Sequence, residues 1–130
     1  MSEKKIFNTD TAPKAIGPYN QAVQAGDTLY VSGQIAFAPE TMQLVATGVA
    51  DDTHQVLKNI AAILAHTNYS FQDVGKTSIF ISNMDDFAVI NDVYAQYFVD
   101  NQPARETVAV KTLPKNVNVE ISVIAWKKDA

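Results

Sequence analysis

Near the end of the chain, Val117, Val119, Ile121, Val123 and Ala125 alternate with Asn118, Glu120, Ser122, Ile124 and Trp126. A period of two marks a β-strand with one buried face, here predicted over residues 117–126. Residues 74–82 alternate as well, with Val74 and Phe80 expected on one face and Ile79 and Ile81 on the other. Leu29-Tyr30-Val31 makes a short strand within residues 28–32, after a turn at Gly26-Asp27. Residues 34–45 read as a hairpin whose turn chemistry comes from Pro39-Glu40-Thr41. A different period governs residues 51–66, where Val56, Leu57, Ile60, Ile63 and Leu64 recur at i, i+1, i+4, i+7 and i+8. That is the apolar stripe of a helix, and Asp51 and Asp52 suit the positive end of its dipole. Asp85 or Asp86 is placed to cap a second helix carrying Phe87, Ile90, Tyr94, Tyr97 and Phe98. Pro103 ends that region, and a further strand is predicted over 105–111. Several strands, a helix, a strand, a helix and two strands, without repeat or linker, predict one α+β domain over residues 1–130. Its mixed β-sheet carries both helices packed on one face.

Two helices cannot cover both faces of such a sheet. The back of the last strand is half polar and half apolar, and a patch holding Ile124 and Trp126 invites association. Another subunit is the simplest cover. The pattern predicts an oligomer without saying how many copies it holds.

Composition narrows the class. With 130 residues, 47% of them apolar, the chain suits one folded domain and not a disordered segment. No apolar run approaches a membrane span, and the stretch from Met1 to Ile6 lacks the apolar region of a signal peptide. The expectation is a cytoplasmic protein with no membrane contact. Zero cysteines exclude disulfides, thiolate catalysis and cysteine metal sites. A net charge of −4, with basic doublets only at Lys4-Lys5 and Lys127-Lys128, argues against a nucleic-acid surface. His54 and His66 stand twelve residues apart on the first helix with no third ligand in register, so no metal site is expected. Gly26, Gly33, Gly48 and Gly75 are too scattered for a phosphate or dinucleotide loop.

Two lone charges stand inside strand-like runs, Arg105 and Glu120. Glutamate is depleted in strands, and charges kept there serve a ligand or a partner charge. Arg105 offers a planar fork able to hold a carboxylate through two charge-assisted bonds, each worth roughly 1.5–3 kcal/mol. Its plainer role is a structural salt bridge, to Glu106 or to a neighbouring subunit. Glu120, on a partly desolvated face, suits proton transfer near neutrality; its plainer role is pairing with a surface lysine. Tyr19 follows the rigid Gly17-Pro18 turn and serves either as an aimed ring or as an interface aromatic. Ser32-Gly33 offers a backbone N–H with room for close approach. Ser32 is not a nucleophile, because no G-x-S-x-G elbow or activating histidine accompanies it. Asn91 lies on the second helix beside its apolar stripe, where a solvated role is the ordinary one.

Pro103-Ala104-Arg105, Leu113-Pro114-Lys115 and Val119-Glu120-Ile121 together resemble the signature of the Rid family of enamine/imine deaminases. Ala15-Ile16-Gly17-Pro18-Tyr19 with Gln21-Ala22, Val31-Ser32-Gly33-Gln34-Ile35, and residues 87–98 with Asn91 and Tyr94 match the same family. The resemblance implies a chorismate-mutase-like homotrimer, sheets inward and helices outward, with no cofactor. It implies that Arg105 clamps a substrate carboxylate with N–H groups near Gly33 and Thr107. It further implies that Glu120 orients water or shuttles protons, that Tyr19 closes over the substrate and that Asn91 assists binding. Thr107 replaces a cysteine of many relatives and Glu106 a small residue. A backbone N–H at Thr107 preserves the clamp, and Glu106 should point away from the ligand.

The implied reaction hydrolyses 2-iminobutanoate and 2-iminopropanoate, formed from reactive enamines, to 2-keto acids and ammonia. A non-catalytic trimer binding 2-keto acids, or a chaperone-like protein, is the alternative, and ribonuclease activity a poorer third. A simple hairpin about Lys115-Asn116 would set Glu120 opposite Lys111, with Arg105 about 20 Å away along the strands. The expected site is therefore shared between subunits.

Overall fold

The computed structural model describes residues 3–130. Met1 and Ser2, part of the expected domain and of the N-terminal stretch considered above, lie outside the described residues. The strands are β1 (Lys5–Phe7), β2 (Ala22–Ala25), β3 (Thr28–Gln34), β4 (Phe37–Ala38), β5 (Gln43–Leu44), β6 (Val74–Ile81), β7 (Ala104–Ala109) and β8 (Val119–Trp126). The helices are α1 (Val49–His66) and α2 (Phe87–Ala95). Six strands form one mixed sheet in the order β1-β2-β3-β8-β6-β7, and β4 and β5 form a separate pair.

Alternation on β8 puts Val119, Ile121, Val123 and Ala125 in the core, each at most 2% exposed. The α1 stripe of Val56, Leu57, Ile60, Ile63 and Leu64 meets them from above, each at most 1% exposed. Burying each such side chain contributes roughly 1.5–3 kcal/mol, which makes this seam the main support of the fold. The helix α2 adds Ile90 and Tyr94, and Phe98 packs beyond its end, stacked on Tyr94 with ring centroids 4.4 Å apart. Both helices thus cover one face, as the pattern predicts.

Several local expectations need correction. The N-terminal strands β1 and β2 are too short to show a period, since β1 spans three residues and β2 four. The predicted 34–45 hairpin is real but small, with two residues in each strand. Neither Asp85 nor Asp86 caps with its side chain; Asn83 Oδ1 accepts the Asp85 N–H at 2.9 Å, in the turn before α2. The helix ends at Ala95, before Tyr97 and Phe98. Val74 and Phe80 do not share a face. The register slips between Val74–Ala125 and Lys76–Ile124, making Gly75 the extra residue of a bulge that turns Val74 into the core.

The last two strands form no hairpin. β7 pairs in parallel with β6, and β6 pairs antiparallel with β8, so β6 lies between them. Glu120 therefore faces Phe80 and not Lys111. The connection is the turn Pro114–Asn116, where Lys115 and Asn116 take left-handed φ values of 59° and 56°.

Candidate active site

Glu120 sits on the back of the sheet, where its neighbours along β8 are Ser122, Ile124 and Trp126. Room for its carboxyl comes from a second bulge. Val31 pairs with Val123 but Gln34 with Ile121, so Ser32 and Gly33 span what is one residue on β8. A Cβ on Gly33 would lie 2.9 Å from Glu120 Cδ, closer than packed atoms sit. Glycine is needed there because the carboxyl lies in the space a side chain would fill. Gly33→Ala is expected to leave the melting temperature almost unchanged, because only the end of a flexible side chain must yield. Turnover at this site should fall about 10- to 100-fold as the carboxyl is displaced. A large loss of stability, read by thermal melting, would instead make Gly33 a purely structural glycine.

Glu120 lines a cleft of about 260 Å³ with Tyr19, Gly33, Gln34, Phe37 and Pro114. Desolvation by the cleft walls pushes its carboxyl above the usual carboxylate pKa. Tyr19 reaches the cleft from the loop before β2, where Gly17 turns with φ of 134°. Its ring is half exposed, and its hydroxyl accepts the Ile16 N–H at 3.3 Å. Ser32 is occupied otherwise: its N–H donates to Gln21 O at 2.9 Å and its Oγ to Asn20 O at 2.5 Å. Gly33, which lines the cleft, is the member of the pair placed to meet a ligand.

Arg105 is elsewhere. It pairs with the core residue Thr77 on β6 and so points to the helix face. Its Nη1 donates to Asn91 Oδ1 at 2.8 Å, and its Cζ lies 5.0 Å from the Tyr94 ring centroid and 5.7 Å from that of Phe87. Tyr94 is held in turn by a 2.9 Å hydrogen bond between its hydroxyl and Thr77 Oγ1. Phe87, Asn91 and Tyr94 recur at i, i+4 and i+7 on α2, one face that orients the guanidinium. The two rings were visible in sequence as part of an apolar stripe, and only the arginine above them reveals their second role. The salt bridge to Glu106 is excluded: Glu106 is on the back face, paired with Lys76 Nζ at 2.9 Å and hydrogen-bonded to Ser78. These contacts hold the Glu106 carboxyl below its ordinary range, the Ser78 hydrogen bond first among them. Among the described residues no carboxylate pairs with Arg105, so its fork is open to an anion.

A recess of about 380 Å³ surrounds Arg105, lined also by Asn91, Tyr94, Phe98 and Pro103. Thr107 follows on the same face of β7, opposite Ile79, and its Oγ1 is buried without a hydrogen-bond partner. The candidate residues thus fall into two groups: Tyr19, Gly33 and Glu120 in the cleft, and Arg105, Asn91 and Thr107 on the helix side. Arg105 is three residues along β6 and two strands across from Glu120, about 14 Å between backbones at ordinary spacings. That is shorter than the hairpin reading gave, but the two side chains leave opposite faces of the sheet, a stronger barrier than distance. Among the described residues no cluster of three or more metal-binding side chains occurs, and no helix is long and apolar enough to cross a membrane.

Over residues 9–127 the chain matches the family described as Endoribonuclease L-PSP. It is 47% identical over 125 residues to a RutC family protein of Pyrococcus horikoshii, covering 96% of this chain and 99% of that protein. A Dermatophagoides farinae protein named 2-iminobutanoate/2-iminopropanoate deaminase is 45% identical over 124 residues, 95% of this chain and 97% of the relative. Among solved structures, YyfA of Yersinia pestis, from the Rid protein family, superposes with a TM-score of 0.93 at 45% identity. That superposition covers 96% of this chain and 100% of the other.

Proposed function

Since this chain belongs to the Rid family, we propose that it hydrolyses short 2-imino acids, 2-iminobutanoate and 2-iminopropanoate, to 2-keto acids and ammonia. The observation that carries the reading is the pair of open charges: among the described residues, an arginine fork has no carboxylate and a desolvated glutamate has no cation within ion-pair distance. Each is half of what an imino acid needs, and they occupy opposite faces of one sheet. A homotrimer that buries the apolar part of the back face would bring Arg105 of one copy to Glu120 of the next. Tyr30, Ile124 and Trp126, between 39% and 56% exposed, are the residues such packing covers.

In this mechanism Arg105 holds the carboxylate through two hydrogen bonds, with N–H groups near Gly33 and Thr107 assisting. Glu120 accepts a proton from water while the water oxygen bonds to the imine carbon. The C=N π pair moves to nitrogen, which takes that proton from Glu120, and a carbinolamine results with Glu120 ionised again. Collapse then breaks the C–N bond: the hydroxyl gives up its proton through Glu120, the carbonyl forms, and protonated nitrogen leaves as ammonia. Water is consumed and one ammonia released, and positioning with acid–base help supplies the acceleration.

The test couples a threonine dehydratase to the protein and follows keto acid and ammonia. The expected result is faster release with the protein than without, unchanged by chelators. Glu120 must be ionised to act as base, and its pKa is raised, so kcat/KM should climb with pH through a value above the usual carboxylate range. An acid limb lying within the ordinary range, or persisting in Glu120→Gln, would assign that limb to another group. Binding of 2-oxobutanoate without any acceleration would leave the keto-acid-binding protein as the correct reading.

A further inference from the structure

Phe80 stands directly opposite Glu120 in the pair of β6 with β8. The flanking pairs, Ile79 with Ile121 and Ile81 with Val119, bury all four side chains to 1% exposure or less. Phe80 and Glu120 therefore share the back face. Directly opposite residues hold their Cβ atoms about 4.5–5.5 Å apart, and a strand side chain stands roughly perpendicular to its sheet. The partly buried Phe80 ring thus fills the space beside Glu120 on the β6 side. The β3 side is open. A Cβ on Gly33 would lie 2.9 Å from Glu120 Cδ and 3.2 Å from its Cγ, so the end of the glutamate leans over β3. The cleft takes its walls from the Tyr19 loop, the end of β3, Phe37 and the turn at Pro114 and Lys115, and none from β6. A flexible side chain with room on both flanks would not keep one lean; a wall on one flank and a glycine on the other fix it.

We propose that Phe80 is a positioning residue, an apolar wall that keeps the Glu120 carboxyl over Gly33 and inside the Tyr19 cleft. This rests on the deaminase reading and deepens it by naming what aims the base. Without the ring, Glu120 gains rotamers that carry its carboxyl over β6 and away from the cleft. Charge does not do the aiming. Lys76 and Glu106, the ion pair on the same face, hold each other at 2.9 Å, and among the described residues no cation is within ion-pair distance of Glu120. The other titratable residues lining the cleft are Tyr19, Lys14 and Lys115. The ring also keeps water from one flank of the carboxyl, in keeping with the desolvation that raises its pKa.

Phe80→Ala removes the wall, and Phe80→Leu keeps a branched apolar one. In the coupled assay kcat of Phe80→Ala should fall about tenfold with KM little changed, because the Arg105 clamp is untouched. Phe80→Leu should stay within about twofold of the parent. In Gly33→Ala the carboxyl is already displaced, so adding Phe80→Ala should cost little more; two independent defects would multiply. Carbon-13 NMR of the Glu120 carboxyl, assigned with Glu120→Gln, reads its surroundings without turnover. Its titration midpoint should move down toward the ordinary carboxylate range in Phe80→Ala and stay in place in Phe80→Leu. Phe80→Val keeps the strand preference and loses the ring, and it serves for the same readouts if the alanine variant does not fold. A midpoint that does not move, or losses that multiply in the double variant, overturns the proposal and makes Phe80 a packing residue. A wild-type protein that hydrolyses no imine, while the midpoint still moves in Phe80→Ala, would overturn the deaminase reading and leave the aim of Glu120 standing. No hydrolysis and no movement overturns both.

Discussion

Arg105→Ala is expected to lower kcat/KM on short imino acids by on the order of 10²-fold or more, with the oligomer intact. Two charge-assisted hydrogen bonds are lost, each worth roughly 1.5–3 kcal/mol, and nothing else near β7 supplies a fork. Arg105→Lys should restore little, because a point charge cannot make two parallel bonds to one carboxylate. The structure sharpens the expectation. The guanidinium rests on Tyr94 and Phe87 and is steered by Asn91, with no carboxylate partner to lose. Removing it leaves no buried charge stranded, so stability should change little. Size-exclusion chromatography beside the kinetic assay is the check. An inactive protein that has also dissociated would make Arg105 an assembly residue.

The second large effect is complementation between two dead variants. Arg105→Ala and Glu120→Ala are each expected to be inactive, and mixing them after dissociation and reassembly should return part of the activity. Within one chain the two side chains leave opposite faces of the sheet, about 14 Å apart at the backbone, and no substrate of three or four carbons spans that. A hybrid oligomer contains some contacts where an intact Arg105 meets an intact Glu120 of a neighbour. Hybrids verified by mass that remain inactive would sink the shared-site geometry. Glu120→Gln carries a companion signature. The raised pKa of Glu120 means that its contribution to folding is fully present below the unfolded pKa and lost as pH rises through the folded one. Near neutrality the carboxylate sits in the cleft at some cost, so Glu120→Gln should be inactive and no less stable than the parent in thermal melts.

What the sequence by itself determined is whatever depends on neighbours along the chain. The β8 alternation, the α1 stripe from Val56 to Leu64 and the half-polar back of the last strand follow from periods of 2.0 and 3.6, which any partner must accept. Arg105 and Glu120 stood out for the same local reason, charges in runs that read as strand, although β7 proves to be an exposed edge and only β8 buries one of its faces. Tertiary structure decided what depends on which strand lies beside which. Sequence adjacency suggested a hairpin between β7 and β8, but β6 enters between them, and pairing across distant segments leaves no local mark. The bulges at Gly75 and at Ser32-Gly33 shift faces by one residue, which in a strand moves a side chain through the sheet. For that reason only the folded chain could set Arg105 on the helix side with Asn91, Tyr94 and Phe87, and Glu120 on the other side against Gly33.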